Sequence, residues 1–305
     1  MVFSNYRPVS VSPLFSKILE RLVYTRLLTF INKHKFLYKF QFIFREGHSL
    51  NLSLTYLVDK VSIALEEGDY VLGIFLNFSK VFDTVNHNIL FDKLEMYGVC
   101  GVALSWFKSY LHNRVQYMDY NGMQSDKQTI RCGIPQGSIL GPLLLLLYIN
   151  DLSDVSSWLS SLLFADDSNL FMSDKNINDL IENMNCEMKD VVDWLQVNKL
   201  SLNLKKTHFM LFRKRRKIVL IEWDLAVNDT IISMVDKTNF LGVVVDECLT
   251  FLLKEKFLDL WVFYINVRSI SKLRLWSGYT PLQFTHTSTI VLQYGDIHIQ
   301  LILCP

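Results

Sequence analysis

The hydrophobic positions change their spacing along the chain, and each change predicts a new element. Leu14, Ile18, Leu22 and Ile31 recur near the helical period behind Ser12-Pro13, a capping hydroxyl followed by a residue with no amide hydrogen to lose. This predicts an amphipathic helix over 12–33. After a turn-like Arg45-Glu46-Gly47-His48, residues 50–67 return to helical spacing. The unbroken apolar, β-branched and aromatic run 70–76 predicts a buried strand ending at Asn77. Asp83-Thr84 opens a helix expected to reach about Tyr97, with Asp83 as its N-cap; 106–120 then leads into another strand. Ser138 is expected to cap a short, very apolar helix through Asn150. Apolar segments 159–164 and 170–172 flank Asp166-Asp167-Ser168-Asn169, the pattern of a hairpin with carboxylates at its tip. Ile177, Leu180, Ile181, Met184, Met188, Val191 and Leu195 form one helical stripe. Residues 202–245 break into short strands separated by polar turns, and 251–305 stay apolar without a clear period.

With 305 residues, 50% of them hydrophobic, the chain can bury a sizeable core in one large domain or two smaller ones. A formal charge of +1 excludes a uniformly basic nucleic-acid binder, so any nucleic-acid surface has to be local. Cys100, Cys132, Cys186, Cys248 and Cys304 are scattered, with no CxxC pair and no zinc-finger spacing. They favour free thiols in a reducing, intracellular setting, cytoplasm or nucleus. The opening MVFSNYRPVS lacks a charged stretch followed by an apolar segment, so no signal peptide is expected. The longest apolar run, 143–149, is far short of the roughly 20 residues of a membrane helix. It reads as a buried core segment, and no membrane partner is expected.

Phe164-Ala165-Asp166-Asp167 carries the sharpest local chemistry, because two adjacent carboxylates at a hairpin tip can hold hard divalent cations against a triphosphate. By itself such a pair is more often a solvated turn. Its company argues for chemistry: apolar flanks on both sides, a second strand ending at the polar Asn77, and Gly133-Ile134-Pro135-Gln136-Gly137-Ser138 between them.

Seven blocks then follow in order: NYRPVS (5–10), QFIFREGHS (41–49), FLNFSKVFDTVNH (75–87), GIPQGSILGPLLLLLYINDL (133–152), FADD (164–167), WLQVNKLSLNLKKTHFMLF (194–212) and FLGVVVD (240–246). Together they resemble the reverse transcriptases of non-LTR (LINE-type, jockey-like) retrotransposons over about residues 5–250. The resemblance implies an α+β right-hand polymerase fold. Residues 1–70 would be partial fingers and 71–250 a palm with an antiparallel sheet, packed helices and interleaved fingers elements. Residues 251–305 would be a partial, degenerate thumb-like region, where only LQYGD at 292–296 is similar. It further implies a truncated member, since more fingers sequence and commonly an endonuclease domain would precede NYRPVS. The implied reaction is RNA-templated DNA synthesis: a primer 3′-hydroxyl attacks the α-phosphate of a deoxynucleoside triphosphate and pyrophosphate leaves. Two Mg²⁺ ions roughly 4 Å apart would serve it. RNA template, DNA primer and deoxynucleoside triphosphates are the implied partners; the oligomeric state is not implied.

In the family the metals are held by an aspartate at the end of the first palm strand and by the first aspartate of the hairpin, with the second aspartate beside them; by position the hairpin pair here is Asp166 and Asp167, both taken as metal-site residues. The strand-end position is Asn77. Asparagine is nearly isosteric with aspartate but neutral, with one acceptor oxygen and an amide that only donates, so it cannot bridge two cations. The metal site is expected to be incomplete and activity to be largely lost. Asp83, six positions on, is not expected to replace it. By family match Phe82 resembles the aromatic gate against a ribose 2′-hydroxyl, and Gln136 the glutamine that contacts the incoming nucleotide. Lys206 resembles the lysine near the leaving phosphate, with Lys205 its neighbour to exclude, and Arg7 and Arg45 resemble fingers contacts to template or triphosphate. Ile43, Leu50 and Val81 depart from the family pattern.

Between Lys199 and Lys217 stand eight Lys or Arg and no acid, ending in Arg213-Lys214-Arg215-Arg216-Lys217. Such a run is read as a phosphate-binding surface, a solvated loop or a nuclear-import signal. Three functions are compatible with these residues: a catalytic polymerase that tolerates Asn77, a decayed copy that binds template-primer but polymerises poorly, and a chain without function. The accumulated departures favour the second.

Overall fold

A computed structural model describes residues 10, 13–42, 45, 49–117, 119–120, 123–164, 167–217, 224–228, 230–249, 289–294 and 297–302. The chain divides into two compact units, Met1–Phe257 and Leu258–Pro305. In the second, the described residues are one antiparallel hairpin, Thr289–Tyr294 with Ile297–Ile302.

The first unit begins with helix α1 (Leu14–His34) and helix α2 (Leu50–Glu67), the latter capped by Ser49, whose hydroxyl accepts from the Leu52 amide. Pro13 directly precedes α1, and Ser12 lies outside the described residues. Of the expected α1 stripe only Ile31 is buried. Leu14, Phe15, Ile18, Leu19 and Leu22 are exposed, whereas Glu20, Leu27 and Ile31 are buried. The Glu20 carboxylate accepts from the Ile139 amide at 2.7 Å, on the face that is buried.

Strand β1 (Tyr70–Asn77) is the centre of the sheet, and six of its eight residues are buried. The small α3 (Val81–Thr84) and then α4 (His87–Met96) follow, where one continuous helix from Asp83 was expected. The Val85 carbonyl, which would have bonded up such a helix, instead accepts from the Gly133 amide (2.7 Å), and the neighbouring Phe82 carbonyl accepts from that of Ile134 (2.6 Å). Asn86, not Asp83, caps α4, its side chain accepting from the Asn88 and Ile89 amides. Helix α5 (Gly101–Leu111) occupies the first part of the expected 106–120 strand approach. Two short ladders come next: β2 (Val115–Gln116) with β5 (Gln128–Thr129), and β3 (Asp119–Tyr120) with β4 (Met123–Gln124).

Helix α6 (Gly141–Ile149) is buried on nearly every side, as its all-round apolar sequence requires. It starts later than expected: Ser138 stands before it, its hydroxyl accepting from the Gly141 amide at 2.9 Å. Strands β6 (Ser160–Phe164) and β7 (Asp167–Asp174) form the hairpin, and α7 (Ile177–Val197) buries the expected stripe from Leu180 to Leu195, with Ile177 partly exposed. After α7 come β8 (His208–Phe212), β9 (Ala226–Val227), β10 (Thr230–Ile231), β11 (Ser233–Met234), β12 (Lys237–Phe240) and β13 (Val243–Asp246).

The main sheet has the order β11-β8-β1-β7-β6; every pairing is antiparallel except β11 with β8. Alternation along β1 sends Leu72, Ile74 and Leu76 into the main core with α4, α6 and α7. The other face carries Gly73, Phe75 and Asn77. There the Phe75 ring meets Phe171 edge-on at 6.1 Å and stacks on His208 at 5.3 Å. Gly73 is required by this packing: a Cβ would stand 2.8 Å from the Phe171 ring and 3.1 Å from that of Phe212.

Candidate active site

The end of β1 and the start of β7 lie side by side, with Asn77 directly opposite Asp167. The Asn77 side-chain amide donates to Asp167 Oδ1 at 3.0 Å. The Asn77 backbone is held as well. Its carbonyl accepts from the Asn203 amide at 2.8 Å, and its own amide donates to Thr207 Oγ1 at 3.3 Å. Phe78 and Ser79 continue the attachment by pairing with Leu202 and bonding the Ser201 carbonyl. The Leu204-to-Lys206 turn therefore hangs from the end of β1, with Lys205 and Lys206 both exposed.

The hairpin is tighter than the four-residue polar tip expected. Phe164 pairs with Asp167, and Ser168 and Asn169 are buried strand residues. Asp166 is outside the described residues, between these paired positions.

A second cluster joins the block after β1 to the Gly-Pro loop. Gly133 has φ +90°, and a Cβ there would meet the Phe82 and Asp83 carbonyls at 2.9 Å. Its carbonyl is 2.7 Å from buried His87 Nε2, which as the N–H donor fits that acceptor. Phe82 and Gln136, both partly buried, are thus carried on segments that touch through backbone bonds. The Gln136 carbonyl also accepts from the Ser10 amide at 2.7 Å. Arg7 lies outside the described residues. Arg45 Nη1 donates to the Tyr38 carbonyl at 2.8 Å, and burial lowers its pKa. This bond braces the turn before the QFIF block.

Several residues to which the motifs assign no role hold this region. Thr207 and Asn203 fix the end of β1, as above. Asn150 Oδ1 accepts from the Tyr38 amide at 2.8 Å, while its amide donates to the Phe36 carbonyl at 2.9 Å and Tyr97 Oη at 3.1 Å. Lys93 bridges the Asp151 carboxylate at 2.7 Å and the Tyr148 carbonyl. Burial pushes the Lys93 pKa down against the pull of Asp151. The Tyr148 hydroxyl donates to the Asn198 carbonyl at 2.6 Å, and burial pushes its pKa up to about 12. For Tyr148, Asn150 and Asp151 the signal is the YINDL string itself, whose polar letters interrupt an apolar run and so demand partners.

The profile of the family described as "Reverse transcriptase (RNA-dependent DNA polymerase)" matches residues 3–245. The chain belongs to the reverse transcriptase family. Its relatives include the probable RNA-directed DNA polymerase from transposon X-element of Drosophila melanogaster, 28% identical over 81% of this chain and 27% of that protein. The RNA-directed DNA polymerase from mobile element jockey of the same fly is 29% identical over the same shares. The chain thus spans about a quarter of the length of these curated relatives, and the jockey-like, non-LTR resemblance stands. Among solved structures, apo telomerase from Candida tropicalis superposes with a TM-score of 0.53 at 13% identity, covering 78% of this chain and 41% of that one. The telomerase of that yeast in complex with a fragment of telomeric RNA gives 0.52 at 12%, over 80% and 37%. These likenesses support the α+β polymerase palm expected from the motifs.

Of the expected metal-site positions in this reverse transcriptase domain, Asp166 lies outside the described residues and Asn77 offers a neutral amide beside the Asp167 carboxylate, where a second carboxylate would be needed to share a cation. The Asn77 amide nitrogen faces the Asp167 carboxylate, because its oxygen in that place would repel another oxygen.

The basic run also divides. Arg213 pairs with Glu247, Nε to Oε2 at 3.2 Å, and donates to the Lys217 carbonyl at 2.7 Å. Lys217 Nζ donates to the Gly68 carbonyl at 3.1 Å and lies 4.2 Å over the Tyr70 ring. Lys214, Arg215 and Arg216 are exposed. The four cysteines among the described residues are free, and none of the helices described is long and apolar enough to cross a membrane.

Proposed function

We propose that this chain is an RNA-directed DNA polymerase domain of a retrotransposon whose nucleotidyl transfer is crippled at one position, Asn77. The observation that carries the reading is the Asn77–Asp167 bond at the end of β1, in a chain that otherwise follows the family's blocks in order. The substrates are an RNA template, a DNA primer and deoxynucleoside triphosphates. Reverse transcriptases generally use divalent metal, with Mg²⁺ the cation expected for oxygen ligands.

The chain's own residues divide the remaining work. Phe82 forms the floor against the sugar and excludes a 2′-hydroxyl, and Gln136, on the loop clamped by Gly133 and His87, contacts the incoming nucleotide. Lys206, on the turn tied to β1, approaches the leaving phosphates as a flexible point charge. Arg7 is a candidate contact to template or triphosphate. Arg45 is better assigned to bracing the 38–41 turn, given its bond to Tyr38. Lys214, Arg215 and Arg216 supply the local positive surface for nucleic acid.

The test is primer extension on an RNA template by the Asn77→Asp form. That form lengthens the primer with deoxynucleotides, and Asp166→Asn introduced beside it abolishes the gain. A folded, template-binding Asn77→Asp protein that adds no nucleotide would overturn the assignment of the defect to Asn77.

A further inference from the structure

The Asn77 amide has a positive hydrogen aimed at the Asp167 carboxylate from the directly facing position of the neighbouring strand. An aspartate there would place two negative groups opposite each other across the ladder, an arrangement that destabilises a sheet unless a cation lies between them. The strand end has little freedom to relieve such repulsion. The Asn77 carbonyl and amide are both engaged by the 203–207 turn, and the preceding Phe75 is packed among Phe171, His208 and Phe240.

From these observations we infer that the Asn77 amide replaces a carboxylate–carboxylate contact by a hydrogen bond, so that the metal-free palm is more stable than it would be with an aspartate at this strand end. The same hydrogen bond stabilises the pairing of β1 and β7. Asn77 is then a residue whose loss of chemistry is coupled to a gain in metal-free stability. The inference rests on reading Asn77 as the family's strand-end carboxylate position, but it is tested without template, primer or nucleotide.

Thermal unfolding of the full chain and its Asn77→Asp form, each in EDTA and in millimolar Mn²⁺, reads the effect directly. The original chain melts within about 1 °C in the two buffers, whereas Asn77→Asp melts several degrees lower in EDTA and recovers in Mn²⁺, following the usual linkage of ligand binding to stability. Mn²⁺ titration followed by the paramagnetic resonance of the free ion supplies a second readout, which holds even if Asn77→Asp unfolds in EDTA and must be prepared with Mn²⁺. Asn77→Asp binds Mn²⁺ at least tenfold more tightly than the original chain. Equal Mn²⁺ affinity of the two forms, or an original chain raised by Mn²⁺ as far as its variant, overturns the inference. So does an Asn77→Asp chain as stable in EDTA as the original. Failure here leaves the extension test standing, because that test reads nucleotide transfer and this one reads metal-dependent folding.

Discussion

Asn77 and Phe82 are five residues apart, but the structure gives them different kinds of constraint. Asn77 is fixed through its backbone and its side chain, whose neutral amide donates to Asp167. Phe82 is fixed through its carbonyl, which accepts from Ile134, so its ring can be replaced without removing the bond that positions it. In an extension-competent Asn77→Asp background, Phe82→Ala should therefore retain deoxynucleotide addition and admit ribonucleotides. The ratio of the two incorporation efficiencies should fall at least tenfold, and an unchanged ratio would remove Phe82 from the sugar pocket. Asn77 is legible from its place in the FLNFSKVFD block, but its amide bond to Asp167 is not, because strand register is a tertiary property. Nor can sequence choose between Asp83 and Asn86 as the cap of α4. Both are good capping residues, and the choice goes with a tertiary bond, Gly133 taking the Val85 carbonyl from the intervening turn.

Elements whose partners lie on every side are readable from their letters alone. Strand β1 and helix α6 are continuous apolar runs because they are covered all round, and α7 shows one clean stripe because one face meets the sheet. Helix α1 departs from its pattern over its first half, where Leu14, Ile18 and Leu22 are exposed while Glu20 is buried and holds the Ile139 amide, a tertiary contact that the spacing does not encode. Within β1 the close approach of Phe171 and Phe212 leaves no space at Gly73. Gly73→Ala should lower stability by about 1–3 kcal/mol through overpacking, read as a shift of the denaturant midpoint at constant slope. No shift would mean that the two rings can part freely.

The Arg213–Lys217 segment divides between fold and surface. Neutralising all five residues would also break the Arg213–Glu247 pair and the Lys217–Gly68 bond, so a change in binding would be confounded with a change in structure. Replacing only Lys214, Arg215 and Arg216 with glutamine should leave unfolding unchanged while reducing the slope of log affinity against log salt by about two to three for an RNA·DNA template-primer, near one for each phosphate left unneutralised. An unchanged slope would place these side chains outside the interface and leave a solvated loop or an import signal as their role.

At the scale of the molecule, the parts of a polymerase palm are present and joined: the sheet, the loop carrying Gln136, the segment carrying Phe82 and the turn carrying Lys206. On the proposed reading the decisive departure is the missing charge at one strand end. If the carboxylate missing from position 77 is worth about 4 kcal/mol in the transition state, within the range for metal-held charge, its return is worth roughly a thousandfold in rate. The most direct measurement is the single-turnover rate of one deoxynucleotide addition by the original chain and by Asn77→Asp, both saturated with the same RNA-templated primer. A rise of about three orders of magnitude, with template-primer affinity unchanged, is the predicted result. An original chain that already adds the nucleotide at the rate of its Asn77→Asp form would contradict the account.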